Sequence, residues 1–177
     1  MPAPKRASLT AKGGQVKIPA PFLETRDTTL NRIRTLLAGH AAEKHVFGQP
    51  SNGAGNGPDS DLAIATELAG KLLTEWGLEG QLSHMPGQYL LRSKPDMRTD
   101  HPVEYMLRDY LGAASKILEE NTDQLMIIAT TLLEEREFSE QQCREVLIPV
   151  RKFDARSDTG SQNIPPIENK INDQQNC

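Results

Sequence analysis

Between residues 27 and 147 the apolar positions recur at three- and four-residue steps, the spacing that puts them on one side of an α-helix. Asp27 is placed to cap a first helix running to about Phe47, with Leu30, Ile33, Leu36, Leu37, Ala41 and Phe47 on its stripe. Gly39 falls inside this helix, and Gly48 suits a left-handed stop. A Gly/Asn/Pro/Ser loop follows from Gln49 to Ser60. The second predicted helix runs from about Asp61 to Trp76, with Leu62, Ala65, Leu68, Ala69, Leu72 and Trp76 inward, and Gly77 ends it. Residues 77–100 read as a long connection containing Pro86, Gly87 and Pro95, within which Tyr89-Leu90-Leu91 fits a brief strand.

The third helix has the clearest pattern. Thr99 or Asp100 caps it, Pro102 fits its first turn, and Val103, Met106, Leu107, Tyr110, Leu111, Ala114 and Leu118 share a face that stops near Asn121. A fourth helix over about 122–136 puts Leu125, Ile128, Ala129, Leu132 and Leu133 on one side. Ser139 opens a short fifth helix, with Gln142 placed for a capping box and Val146 and Leu147 expected to be buried. No internal repeat is visible.

The two ends differ from this middle. Pro2, Pro4, Gly13, Gly14, Pro19 and Pro21 exclude a long helix from the first 25 residues, and the VKI at 16–18 fits a short edge strand. From Arg151 the chain is polar, with a Pro165–Pro166 pair and few large apolar residues, and is expected to be disordered. The expected organisation is a basic Pro/Gly-rich segment at 1–26, a helical domain at 27–150 and a disordered polar tail at 151–177. The expected fold class is mainly α, a small bundle of about five helices with long loops and at most a short β-hairpin.

Composition and charge narrow the function classes. Apolar residues are 37% of the 177 and mean hydropathy is −0.53. No run approaches 18 apolar residues and the start has no apolar stretch, so neither direct membrane insertion nor a secretory signal is expected. Two cysteines, Cys143 and Cys177, are too few for a disulfide framework, which suggests the bacterial cytoplasm or another reducing compartment. Residues 1–26 carry a net charge of +4, residues 27–150 carry −8 and residues 151–177 are neutral. An acidic body is a poor partner for nucleic acid or anionic lipid, and the basic start reads as a solvated tail.

Chemistry is sparse. His40 and His45 in HAAEKH are five residues apart, about 140° around a helix, whereas the two imidazoles of HExxH are four apart and about 40° from each other. They are not expected to share a metal. His84 and His101 fall in predicted loop, and Cys143 reads as a packed or half-exposed thiol. There is no GxSxG, Walker loop or GxGxxG, and SNGAGNGPDSD lacks the GK[ST] of a phosphate loop. Asp59 and Asp61 stand at a helix start, where capping and dipole compensation account for both.

Longer segments do carry a resemblance. Leu36-Leu37-Ala38-Gly39-His40-Ala41-Ala42-Glu43-Lys44-His45-Val46-Phe47-Gly48 resembles the LLGGRAAEELVFG segment of FtsH-type AAA+ zinc proteases. Ser60-Asp61-Leu62, Ala65-Thr66-Glu67-Leu68-Ala69 and Leu73-Thr74-Glu75-Trp76-Gly77-Leu78 are similar to that family's NDL…ATELA…MVTEWGM run. Ile117-Leu118-Glu119-Glu120-Asn121 matches its ILEEN, while Leu132-Leu133-Glu134 and Phe138-Ser139 fit the LLEKETL helix and turn beyond it. Order and spacing agree over residues 27–148. The resemblance implies the C-terminal part of the helical peptidase domain of a hexameric, membrane-anchored, ATP-driven protease. It implies zinc held by two histidines of HExxH and one aspartate, with Asp61 matching that aspartate and Glu43 matching the glutamate of the AAE element. The sequence departs from the family in several places. Residues 1–177 contain no HExxH, which in the family lies upstream of the AAE helix, and no ATPase module. Gly57-Pro58-Asp59-Ser60-Asp61 stands in place of TGASND, and His40 in place of the arginine before AAE.

A catalytic zinc needs three protein ligands and an open position for water, so Asp61 alone is expected to bind no zinc and this chain alone to be inactive. The first expectation is therefore a catalytically incomplete peptidase-like domain serving as a scaffold, in self-association or in partner binding. Two alternatives stand beside it: a piece of an active ATP-dependent zinc metalloendopeptidase whose HExxH is supplied elsewhere, and a plain helical interaction module. Without the HExxH helix, Leu36, Leu37, Leu68 and Leu72 are expected to be partly uncovered, which favours oligomers or a partner chain unless residues 1–26 fold back over them.

Overall fold

A computed structural model describes residues 4–10, 13–19, 23–86 and 102–147. In chain order the elements are β1 (Arg6–Thr10), β2 (Gly13–Lys17), α1 (Arg26–Phe47), α2 (Asp61–Thr74), α3 (Pro102–Glu120), α4 (Thr122–Glu135), β3 (Glu137–Ser139) and α5 (Glu140–Leu147). The class is mainly α, as the periodicity predicts, and the hairpin gains a third strand.

The N-terminus of α1 is organised by threonine chemistry. Thr25, not Asp27, is the N-cap: the Thr28 amide donates to the Thr25 hydroxyl oxygen at 3.3 Å, and the Thr25 amide donates to the Thr28 hydroxyl oxygen at 2.7 Å. Asp27 lies in the first turn, where its charge still favours the helix dipole. Thr29, fully buried, donates its hydroxyl to the Thr25 carbonyl at 2.9 Å and to Glu24 at 3.1 Å, so no polar group is left unpaired there. At the other end Gly48 closes the helix at φ 78°, with its N–H on the Lys44 carbonyl.

The core is made where α1, α2 and α3 cross. Leu30, Ile33 and Leu37 of α1 meet Ala65, Leu68, Ala69 and Leu72 of α2, and Val103 and Leu107 of α3 close the cluster. Ala65 and Ala69 have no exposure, and their small side chains let α1 and α2 approach closely. Each buried Leu or Ile contributes about 1.5–3 kcal/mol. The expectation of an uncovered patch is corrected here. Leu37, Leu68 and Leu72 are buried and Leu36 packs against the cluster, because α3 lies across both other helices.

Some inward assignments also change. Phe47 is 76% exposed, since seventeen steps of about 100° carry it roughly 100° around the axis from Leu30. Leu62 is exposed in the first turn of α2, beside Gly55 of the loop. Trp76 is exposed because α2 ends at Thr74, short of it. Gly77 does terminate this region at φ 67°, and a Cβ there would stand 3.1 Å from the Gln81 carbonyl oxygen. Leu133 leaves the inner side of α4 because it sits about 80° from Leu125.

Within the basic start, Arg6–Thr10 and Gly13–Lys17 form a strand pair. β1 lies in the middle of an antiparallel sheet of order β2-β1-β3, with Arg6 opposite Lys17 and Thr10 opposite Gly13. Ala7 faces Phe138 across β1 and β3, and Phe138 is buried. Arg6 forms an ion pair with Glu137, and the Leu9 amide donates to the Arg136 carbonyl at 2.9 Å. The hairpin is thereby joined to the C-terminal helices, and one of its cations is matched by an acid of the body. α5 shows the expected capping box. The Ser139 amide donates to Gln142 Oε1 at 3.0 Å, and the Gln142 amide donates to the Ser139 hydroxyl oxygen at 3.4 Å. Cys143 on α5 is buried. Val146 is half-buried. The Leu147 side chain, the cap at Thr99 or Asp100, the Tyr89-Leu90-Leu91 strand, His101 and the polar tail lie outside the described residues.

Candidate functional site

Glu43 and Asp61, the two residues singled out by sequence, lie on either side of the loop that joins α1 to α2. Glu43 is four residues before the end of α1. Its carboxylate turns across the loop and accepts from the Ser51 amide at 2.6 Å and from the Ser51 hydroxyl at 3.1 Å. The Ser51 hydroxyl oxygen in turn accepts from the Gly53 amide at 3.1 Å. A single 3-10 turn at Gly53–Gly55 follows, then Gly57 at φ 113°, a conformation that L side chains rarely adopt. Ser60 caps α2 by accepting from the Ala63 amide at 3.3 Å. Asp61 is thus delivered as the first residue of α2, exposed, on the positive end of the helix.

The Glu43–Ser51 clamp was not legible in the sequence, because an acceptor eight residues from its donor has no fixed spacing rule. Its electrostatic signature is clear in the fold. Donation by the Ser51 backbone amide, helped by the Ser51 hydroxyl and by nearby His40, holds the Glu43 carboxyl below its ordinary value near 4.5. The clamp is therefore complete above that pH and weakens as pH falls through the lower folded value. The Ser51 amide resonance is expected to titrate with a midpoint below 4.5. Glu43→Gln should abolish that titration while keeping an acceptor, whereas Glu43→Ala should speed amide exchange at Ser51 and Gly53.

The histidines do not converge on Asp61. His45 Nε2 lies 2.9 Å from the Thr122 hydroxyl oxygen; that hydroxyl also sits within bonding distance of the Leu118 and Glu119 carbonyls. With the hydroxyl proton given to a carbonyl, the oxygen accepts from a protonated Nε2. His84 Nδ1 lies 3.0 Å from the Glu75 carbonyl oxygen. Among the described residues no group of three His, Cys, Asp or Glu side chains is placed to hold a metal ion. Asp61 offers one exposed carboxylate, and the described donor set does not amount to a zinc site. Beside it lies a shallow depression of about 430 Å³ lined by Gly55, Gly57, Ser60, Leu62, Ala63, Thr66 and Glu67. Among the described residues no helix is long and apolar enough to cross a membrane.

Comparison with known proteins places this geometry in context. Residues 6–146 match the model of peptidase family M41, so the match begins in β1 and takes in the sheet as well as the helices. The chain is 29% identical to the ATP-dependent zinc metalloprotease FtsH of Bacillus subtilis over 165 residues, covering 81% of this chain and 25% of that protein. It is 30% identical to the ATP-dependent zinc metalloprotease FtsH 2 of Phytoplasma mali, covering 71% of this chain and 18% of that protein. It is 32% identical to the ATP-dependent zinc metalloprotease FtsH 1 of Symbiobacterium thermophilum, covering 64% and 18%. The chain spans a quarter or less of the length of these relatives.

Proposed function

This chain belongs to peptidase family M41, and from that premise we propose that it is a catalytically incomplete peptidase-like domain that serves as a scaffold and binds a protein partner or its own copies. The observation that carries the reading is the donor set around Asp61. The loop and helix that present this aspartate are built in detail, yet residues 1–177 contain no HExxH. Asp61 stands at the position of the family's aspartate ligand as a vestige of that role. Glu43 is structural: it holds the loop rather than a metal-bound water. On this reading residues 27–150 are the working unit, with the basic segment at 1–26 joined to it through the sheet.

Zinc is the metal named for the relatives, and it would supply a Lewis acid and an activated water. One carboxylate does not retain it against water, so no peptide-cleaving step is assigned to these residues alone. The purified chain is expected to hold no stoichiometric zinc after dialysis and to leave unfolded casein intact. Tightly held zinc with casein digestion abolished by a chelator would overturn the reading. The relatives are named as ATP-dependent zinc metalloproteases, which supports a second reading, that of a piece of an active enzyme. Zinc bound only after a polypeptide carrying HExxH is added, with cleavage by the mixture, would establish that reading instead.

A further inference from the structure

α4 carries a surface that the preceding chemistry does not use. The helix meets α3, β1 and β3, and its residues 124, 125, 128, 129, 131 and 132 are half-buried on that side. Its remaining side is also apolar. Met126, Ile127 and Leu133 are 44%, 56% and 59% exposed, and Thr130 lies between them. These positions share one outer stripe at helical spacing. The Thr130 hydroxyl does not offset this, since it bonds to the Met126 carbonyl at 2.9 Å and the Ile127 carbonyl at 3.0 Å within its own helix. The neighbouring Thr131 hydroxyl does the same with the Ile127 carbonyl at 2.8 Å. A helix that is apolar on both sides with its hydroxyls turned to its own backbone is suited to a covered position.

Charge indicates what covers it. Residues 119–137 hold six carboxylates, of which Glu137 is paired with Arg6, and a single cation, Arg136. Asp123 is exposed at one end of the stripe, just after Glu119 and Glu120, which are exposed at the end of α3, and Glu134 is exposed at the other end. A second copy docked about a two-fold axis with its α4 antiparallel would set Asp123 of one against Glu134 of the other, like charge against like. A partner with cations at both ends meets the same rim favourably. The stripe from residue 123 to residue 134 is about 16 Å long, which three helical turns span.

We propose that the outer stripe of α4, Met126, Ile127, Thr130 and Leu133 within its acidic rim, is a docking surface for a basic amphipathic helix of another polypeptide. This rests on the partner-binding part of the function proposed above and gives it a place and a chemistry. It is tested by binding, separately from zinc retention and casein cleavage.

The probe is a fluorescein-labelled synthetic peptide, LKKLLKLLKKLLKL, titrated with the full chain and followed by anisotropy. Saturable one-to-one binding that weakens with added salt is expected. Ile127→Glu combined with Leu133→Glu should weaken it at least tenfold with helical content unchanged by circular dichroism. Glu119→Lys combined with Asp123→Lys reverses the rim without touching the apolar stripe, and should also weaken binding at least tenfold. Leu82→Glu, a change at an exposed leucine elsewhere, should leave binding as it is. The proposal is overturned if both paired variants bind like the parent, or if the same peptide with glutamate for lysine binds equally well. It is also overturned if a chain ending at Leu147 binds at least tenfold more tightly than the full chain, which assigns the stripe to the chain's own later residues. Dimerisation that the α4 substitutions abolish would assign it to a second copy and overturn the proposal as well.

Discussion

Replacing Ile33 by alanine is expected to lower the unfolding free energy by about 2–5 kcal/mol, a large fraction of what a domain of this size possesses. Ile33 has no exposed surface and sits mid-helix on α1. It belongs to the cluster that contains Leu68 and Leu72 of α2 and Val103 and Leu107 of α3. Alanine removes three carbons from a region bounded by helices on two sides, and the backbone of α1 cannot sink into the void without losing α3. Ile33→Val removes one methylene and should cost about 0.5–1.5 kcal/mol. Urea denaturation followed by circular dichroism measures both, and an unchanged slope would show that the native core and not the unfolded chain was altered. Phe47→Ala serves as a contrast: Phe47 lies in the same helix and was expected on the same stripe, but its exposure predicts a change near zero.

The second large effect is expected at Phe138. Its side chain is buried in a strand of only three residues, opposite Ala7 of β1. Three residues of β3 pairing are a short ladder, and the buried ring adds apolar contact to it at that edge. Phe138→Ala should cost about 3–5 kcal/mol where the site does not collapse. The loss should be local in character. Amide protection should fall first in residues 6–10 and 137–139, while α1, α2 and α3 keep theirs. Equal loss of protection in all helices would show the sheet and the three-helix core to be one cooperative unit.

Much of the fold was legible because helices announce themselves locally. The three- and four-residue spacing of Leu30, Ile33, Leu37, of Leu68, Leu72 and of Val103, Leu107 placed the core residues correctly, since a helical period needs no knowledge of neighbours. The Ser139–Gln142 capping box and the Gly48 stop were likewise readable, because caps are rules of short range. Short-range rules also misled. Asp27 and Thr25 are both good caps, and only the reciprocal bonds with Thr28 decide between them.

Sequence singles out Asp61 and Glu43 as candidates through likeness to a family whose model residues 6–146 match, whereas the bond from Glu43 to Ser51 depends on the path of a Gly-rich loop. The local sequence determined the helices, their apolar stripes and the want of an HExxH among these residues. Tertiary structure alone decided that α3 covers Leu37, Leu68 and Leu72, and that the short hairpin of the basic start pairs with a third strand carrying the buried Phe138. It also decided that the outer stripe of α4 stays exposed. Periodicity states which side of an element is apolar; what lies against that side depends on residues far along the chain, whose approach no local pattern encodes.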